Sequence, residues 1–206
     1  MYLPRAFQES DPAEIHDFIE AHSFGALLVA KADGALEIAH LPFLLDRRAG
    51  PHGTLRAHVA RPNPIWKLAA AGHPATVVFS GPHGYVSARW YEHPREQVPT
   101  WNYMVVHAHG RLEAPMDRAD LSALLDDLSS FHERGAPEPW RMDHLEDAFR
   151  EELLDAIVGL SLPIDRLEAK FKLSQNRSPE DRARVIRALR ERGGPDDLAM
   201  AKRIRE

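Results

Sequence analysis

The chain has 206 residues, 44% hydrophobic and 28% charged, with a net charge of −5. That composition can bury a core, and its acidic balance argues against a general nucleic-acid coat. With no cysteine, disulfides, thiolate zinc sites, iron–sulfur clusters and cysteine-linked flavin are excluded.

No apolar run is long enough to span a bilayer, and the opening MYLPRAFQESD lacks the apolar stretch of a secretory signal. A cytoplasmic protein with no membrane partner is expected. In chain order, Asp11 is a candidate N-cap, with Pro12 at the first helical position and Glu14 available for a capping box. Ile15, Phe18 and Ile19 form the apolar stripe of that helix. GALLVAK and ALEIAHLPFLLD follow as two strands, joined through Asp33-Gly34 in a tight hairpin. TLRAHVA is a third strand, NPIWKLAAAG a short helix stopped by Gly72, and PATVVFS another strand. GPHGYVSARWY reads as a glycine turn and a further strand, EHPREQ as an exposed loop, and VPTWNYMVVHAHGRL as the next strand.

Beyond Pro115, DRADLSALLDDLSSFHER and HLEDAFREELLDAI take helical spacing, split by GAPEP. VGLSLPIDRLEAKFKL returns to strand character, SPEDRARVIRALRERGG is a capped arginine-rich helix, and a polar tail ends the chain. Short strands without regular helix alternation predict a β-barrel with surrounding helices, an α+β architecture. The expected division is a barrel domain over 1–177, with inserted helices at about 117–155, and a C-terminal helix and tail over 178–206.

Four segments concentrate polar side chains. HVARPNPIWK (58–67) gathers Arg61, Asn63, Trp66 and Lys67 where a strand passes into a helix; this is a phosphate site or a basic turn capped by Asn63. FSGPHGYVSARWY (79–91) holds His83, Tyr85 and Ser87 beside glycines that allow close approach to a flat ligand, the alternative being a plain hairpin turn. In VPTWNY, Thr100, Trp101, Asn102 and Tyr103 offer stacking faces and an amide for a ring's polar edge, or an aromatic plug at one end of the barrel. KFKLSQNRSPED (170–181) places Lys172, Ser174, Gln175, Asn176 and Arg177 at a strand-to-helix junction, more donors than the cap Ser178 requires. His107 and His109 share a strand face without a third ligand at suitable spacing, so no metal site is expected. His40 and His58, flanked by apolar residues, read as core histidines. Nucleophile-elbow, zinc-protease, P-loop and Rossmann patterns are absent, and no catalytic residue is assigned.

Taken together, MYLPRAF, HLPFLLD, HVARPNPIWK, FSGPHGYVS, VPTWNY with VHAHGRL, and KLSQNR resemble, in order and spacing, the PaiB-type family of FMN-binding negative transcriptional regulators. The resemblance covers nearly the whole chain. It implies an FMN-binding split barrel that pairs as a homodimer, with flavin in a groove between subunits. It further implies phosphate contacts from Arg61, Asn63 and Lys67, and the isoalloxazine near GPHGYVS and TWNY. KLSQNR joins the same pocket, from the same or the partner chain. Similar members read Ser-Pro-Ser-Trp-Tyr where this chain has Ser87-Ala88-Arg89-Trp90-Tyr91, so a rigid turn residue is lost and a charge gained. An alternative function on the same barrel is a flavin-dependent oxidoreductase, either an NAD(P)H:flavin reductase or an oxidase; a haem-binding protein ranks below both. Direct DNA binding lacks a recognition-helix pattern, and the arginines from Arg182 to Arg192 are diluted by Glu180, Asp181 and Glu191, which leaves DNA contact to a partner regulator.

Overall fold

The computed structural model describes residues 1–205. In chain order come β1 (Gln8–Glu9), α1 (Pro12–Ala21), β2 (Phe24–Ala30), β3 (Leu36–Pro42), β4 (Leu44–Asp46) and β5 (Thr54–Ala60). Then follow α2 (Ile65–Ala70), β6 (Pro74–Val86), β7 (Thr100–Arg111), α3 (Arg118–His132) and α4 (Asp147–Asp155). β8 (Ile157–Lys172), α5 (Pro179–Arg192) and α6 (Pro195–Arg203) complete the chain. Two compact units are each assembled from separated stretches: 1–18, 80–107 and 168 onward in the first, 19–79 and 108–167 in the second. Strand order is β3-β2-β6-β7-β8-β5-β4, with β1 on β8.

In the second unit β2 pairs antiparallel with both β3 and β6, and β5 pairs antiparallel with β4 and β8. The β2–β3 hairpin forms as the sequence predicts: Gly34 takes φ +84°, and Asp33 Oδ1 accepts from the Ala35 N–H at 3.0 Å. Alternation puts Leu27 and Val29, Leu55, Ala57 and Val59, and Val77 and Phe79 into the core. Gly110 is required by a close approach, since a Cβ there would lie 2.2 Å from the Pro163 carbonyl oxygen. Helices α3 and α4 pack Leu121, Leu124, Leu128 and Leu154 with Leu44 in a satellite cluster. Asp117 caps α3, its carboxylate accepting from the Asp120 N–H at 2.8 Å.

In the first unit Phe18 of α1 meets Phe171 of β8 with ring centroids 5.1 Å apart. Asp11 caps α1 by accepting from the Ala13 N–H at 2.9 Å, and Ser178 caps α5 by accepting from the Asp181 N–H at 3.1 Å. Val185, Ile186 and Leu189 form the buried face of α5.

Four sequence expectations need correction. HLPFLLD is two strands, β3 and β4, on different partners, because Pro42 has no N–H to extend a ladder and the Phe43 N–H turns to the Ser23 carbonyl at 2.9 Å. GPHGY is no turn: β6 runs through it, with Pro82, Gly84 and Val86 buried and His83 and Tyr85 outward. That inward–outward alternation outweighs the local turn propensity of its two glycines. The polar tail is helix α6, whose spacing buries Met200 and Ala201, with Ile204 buried just after it. His40 is exposed on β3 and stacks against Phe24 at 6.3 Å. His58 is half-buried, and burial lowers its pKa.

Candidate functional site

In the second unit the loop after β5 organises itself. The Arg61 side chain donates from Nη2 to the Ile157 carbonyl at 2.9 Å and from Nε to the Asp155 carbonyl, pinning the loop to the start of β8. Asn63 Oδ1 accepts from the Ile65 N–H at 3.0 Å, so this side chain caps α2. Trp66 Nε1 donates to the Arg61 carbonyl at 2.9 Å, and Lys67 Nζ lies 5.7 Å from the Trp66 ring centroid. Two of the Arg61 donors and the Asn63 carbonyl are therefore spent on the backbone, while Lys67 stays exposed.

In the first unit three aromatic side chains from adjacent strands gather on the outer face. His83 stacks on Trp101 at 5.9 Å with 29° between ring planes, and Tyr85 approaches the same indole at 6.3 Å. Trp101 keeps 49% and Tyr85 42% of its surface exposed. Such a face can stack on a flat ligand. Ser87 is buried and accepts from the Arg89 N–H at 3.3 Å, so the short turn Ala88–Trp90 forms without the proline of similar sequences.

One residue further on, Asn102 is fully buried. Its Nδ2 donates to Ser174 Oγ at 2.8 Å, while its Oδ1 is buried without a donor. Ser174 takes φ +63°, the left-handed region that non-glycine residues seldom enter. Around it the loop closes on itself: Gln175 Oε1 accepts from the Leu173 N–H at 2.7 Å, and its Nε2 donates to the Phe171 carbonyl. The Arg177 N–H donates to the Ser174 carbonyl at 2.9 Å; its guanidinium lies 4.6 Å over the Tyr91 ring and donates to Gln97 Oε1. Asn176 is exposed. Lys172 Nζ donates to Thr100 Oγ1, and its pKa is lowered, chiefly by burial; Tyr103 opposes the shift and Lys170 and Arg177 add to it.

Lys170, Tyr91 and Gln97 escaped the sequence reading. Lys170 is buried, donating to the Tyr2 carbonyl at 3.0 Å with its ammonium 5.5 Å from the Tyr103 ring. The signal for it was the KFK spacing, which puts Lys170 and Lys172 on one strand face and Phe171 on the other. Tyr91 is buried beneath the Arg177 guanidinium, and burial raises its pKa against the opposing effect of Arg177. His107 and His109 alternate with buried Val106 and Ala108, and His109 Nδ1 shares a 2.9 Å hydrogen bond with Thr76 Oγ1.

Residues 1–166 match the family described as "Putative FMN-binding domain". The chain is 33% identical over 202 residues to the Protease synthase and sporulation protein PAI 2 of Bacillus subtilis, covering 98% of this chain and 95% of that protein. Among solved structures, the FAD and heme binding protein from Mycobacterium smegmatis superimposes with a TM-score of 0.62 at 23% identity, covering 85% of this chain and 78% of that one. The flavocytochrome Anf3 from Azotobacter vinelandii gives a TM-score of 0.62 at 17% identity, covering 88% and 78%. An antiparallel sheet with surrounding helices, shared with these two folds, is the split-barrel architecture. The chain belongs to the PaiB-type FMN-binding family, and FMN is the cofactor that membership gives it. Among the described residues no helix is long and apolar enough to cross a membrane.

Proposed function

We propose that this protein is an FMN-binding negative transcriptional regulator that works as a cytoplasmic homodimer. The observation that carries the reading is the exposed cluster of His83, Tyr85 and Trp101, in a chain whose family binds FMN. The regulatory half rests on likeness along almost the full length to a relative named for protease synthesis and sporulation.

When bound, FMN supplies electron-transfer chemistry or a redox-sensitive ligand state. This chain's residues bind and orient it. His83, Tyr85 and Trp101 supply the stacking face. Lys172, held by Thr100 and beside Tyr103, offers a hydrogen-bond donor for the ring's polar edge. Asn102, with its unmet carbonyl, fixes the Ser174–Arg177 loop, in which Gln175 holds the backbone in place and the exposed Asn176 amide serves the ring of the same or the partner chain. Ser87 shapes the turn that follows the aromatic strand. In the second unit Lys67 and Arg61 serve the phosphate, with Asn63 and Trp66 holding the loop they stand on.

The homodimer is assigned to the outer face of β2 and β3, where Phe24, Leu36 and Ile38 stay more than half exposed. DNA contact is assigned to a partner regulator, because the α5 arginines are partly committed: Arg184 lies 3.8 Å from Glu92 and Arg192 pairs with Asp197. The test is an FMN titration followed by addition of NADH or NADPH. Bound flavin that stays oxidised supports the regulator; flavin reduction at turnover rates would make the protein a flavin reductase instead.

A further inference from the structure

A cavity of about 420 Å³ opens in the first unit beside the N-terminal turn and the two C-terminal helices. That volume suits a small organic ligand. Its floor is apolar, made by the buried side chains of Phe171 and Leu173. Four cations border it: Arg182, Lys202, Arg203 and Arg205. Against them stand Glu9 and Glu14, and both are already occupied. Glu14 accepts from Arg203 Nη2 at 2.9 Å, and Glu9 Oε1 accepts from the N–H groups of Ser10 and Asp11 at 2.8 and 2.9 Å.

Arg203 is therefore matched by Glu14, and the three remaining cations, Arg182, Lys202 and Arg205, outweigh the single charge of Glu9 and leave the cavity positive. Arg182 carries the decisive detail. Its Nη1 donates to the Arg177 carbonyl at 3.1 Å, but its Nε is buried with no acceptor. A buried guanidinium N–H without a partner is costly, and an oxyanion is the acceptor that best relieves it. Gln175 borders the cavity too, yet its amide is closed on the Leu173 and Phe171 backbone and offers little there.

We propose that this cavity binds a small organic oxyanion, a carboxylate or a phosphate monoester, whose apolar body lies on Phe171 and Leu173 and whose charge meets Arg182 and Lys202. None of His83, Tyr85, Trp101 and Lys67 lines this cavity, so the proposal does not rest on the flavin reading. Isothermal titration calorimetry of the full chain with octanoate, phenyl phosphate and benzyl alcohol tests it. At least one of the two anions binds saturably, one per chain, more weakly as salt rises, and the neutral alcohol does not; which anion binds separates carboxylate from phosphate. Arg182→Gln weakens that binding tenfold or more, and Lys202→Gln, on an exposed side chain, gives a second variant should the first fail to fold. Exposed Arg187→Gln leaves it unchanged, and FMN affinity is the same in the Lys202→Gln and Arg187→Gln chains as in the parent. The proposal is overturned if neither anion binds, if the alcohol binds as well, or if folded Arg182→Gln and Lys202→Gln chains bind like the parent. It is equally overturned if FMN displaces the anion one for one, since the cavity would then belong to the flavin.

Discussion

Trp101 keeps 49% of its surface in solvent while its neighbour Asn102 is fully buried, and the two positions predict opposite phenotypes. Trp101→Ala removes a stacking face and no core contact, so FMN affinity falls by about 1–2 kcal/mol while the melting temperature barely moves; fluorescence titration beside a thermal melt checks both. Asn102→Ala strands the Ser174 hydroxyl and opens a void, costing about 1–3 kcal/mol of stability in urea denaturation. The same contrast separates the two cations of the second unit. Lys67→Ala lowers FMN affinity by about 1–2 kcal/mol at unchanged stability. Arg61→Ala lowers stability as well, because its side chain holds the carbonyls of Asp155 and Ile157. The sequence made Arg61 and Lys67 look equivalent. Spacing reports which residues lie close along the chain, but the carbonyls that occupy Arg61 come from residues 94 and 96 positions away.

At the scale of elements, what was legible depended on how local the cause was. Caps at Asp11 and Ser178 act within three residues, and both accept the backbone N–H groups their helices need. The β2–β3 hairpin was legible for the same reason, through Gly34. β6 was not, because its glycines promise a turn, whereas the strand is fixed by what Pro82, Gly84 and Val86 bury against. α6 was hidden by its polar composition, and its anchor is an ion pair the sequence does not advertise. Asp197, buried, accepts from Arg192 Nε at 2.7 Å and from its Nη2, and Arg192 Nη1 reaches the Tyr85 carbonyl at 3.0 Å. The Arg192 guanidinium holds the Asp197 carboxyl below its ordinary value. The stabilisation is therefore present above the unfolded carboxylate range, near pH 4, and is lost as pH falls through the lower folded value. Asp197→Asn costs about 1–3 kcal/mol at pH 7 and flattens the acid limb of the stability curve, which denaturation at pH 7 and pH 3 measures.

At the scale of the whole molecule, the fold class was legible because the alternation of buried and exposed residues survives in nearly every strand. The face proposed for the dimer was not, because an apolar outward residue looks in sequence like an inward one. Ile38, 52% exposed on β3, is the position that tests it: Ile38→Asp yields monomers in analytical ultracentrifugation where the parent chain sediments as a dimer, and monomeric parent protein would refute the assigned face. His58 adds to acid sensitivity. Burial lowers its pKa, so its contribution is full above the unfolded histidine value of about 6.5 and declines as pH falls below it.

The most direct test of the central claim is FMN titration of the freshly purified protein, with the visible spectrum recorded first. The account predicts saturable quenching at one FMN per chain, weakened in Trp101→Ala and Lys67→Ala. A folded protein that leaves flavin fluorescence unquenched at every concentration would contradict it.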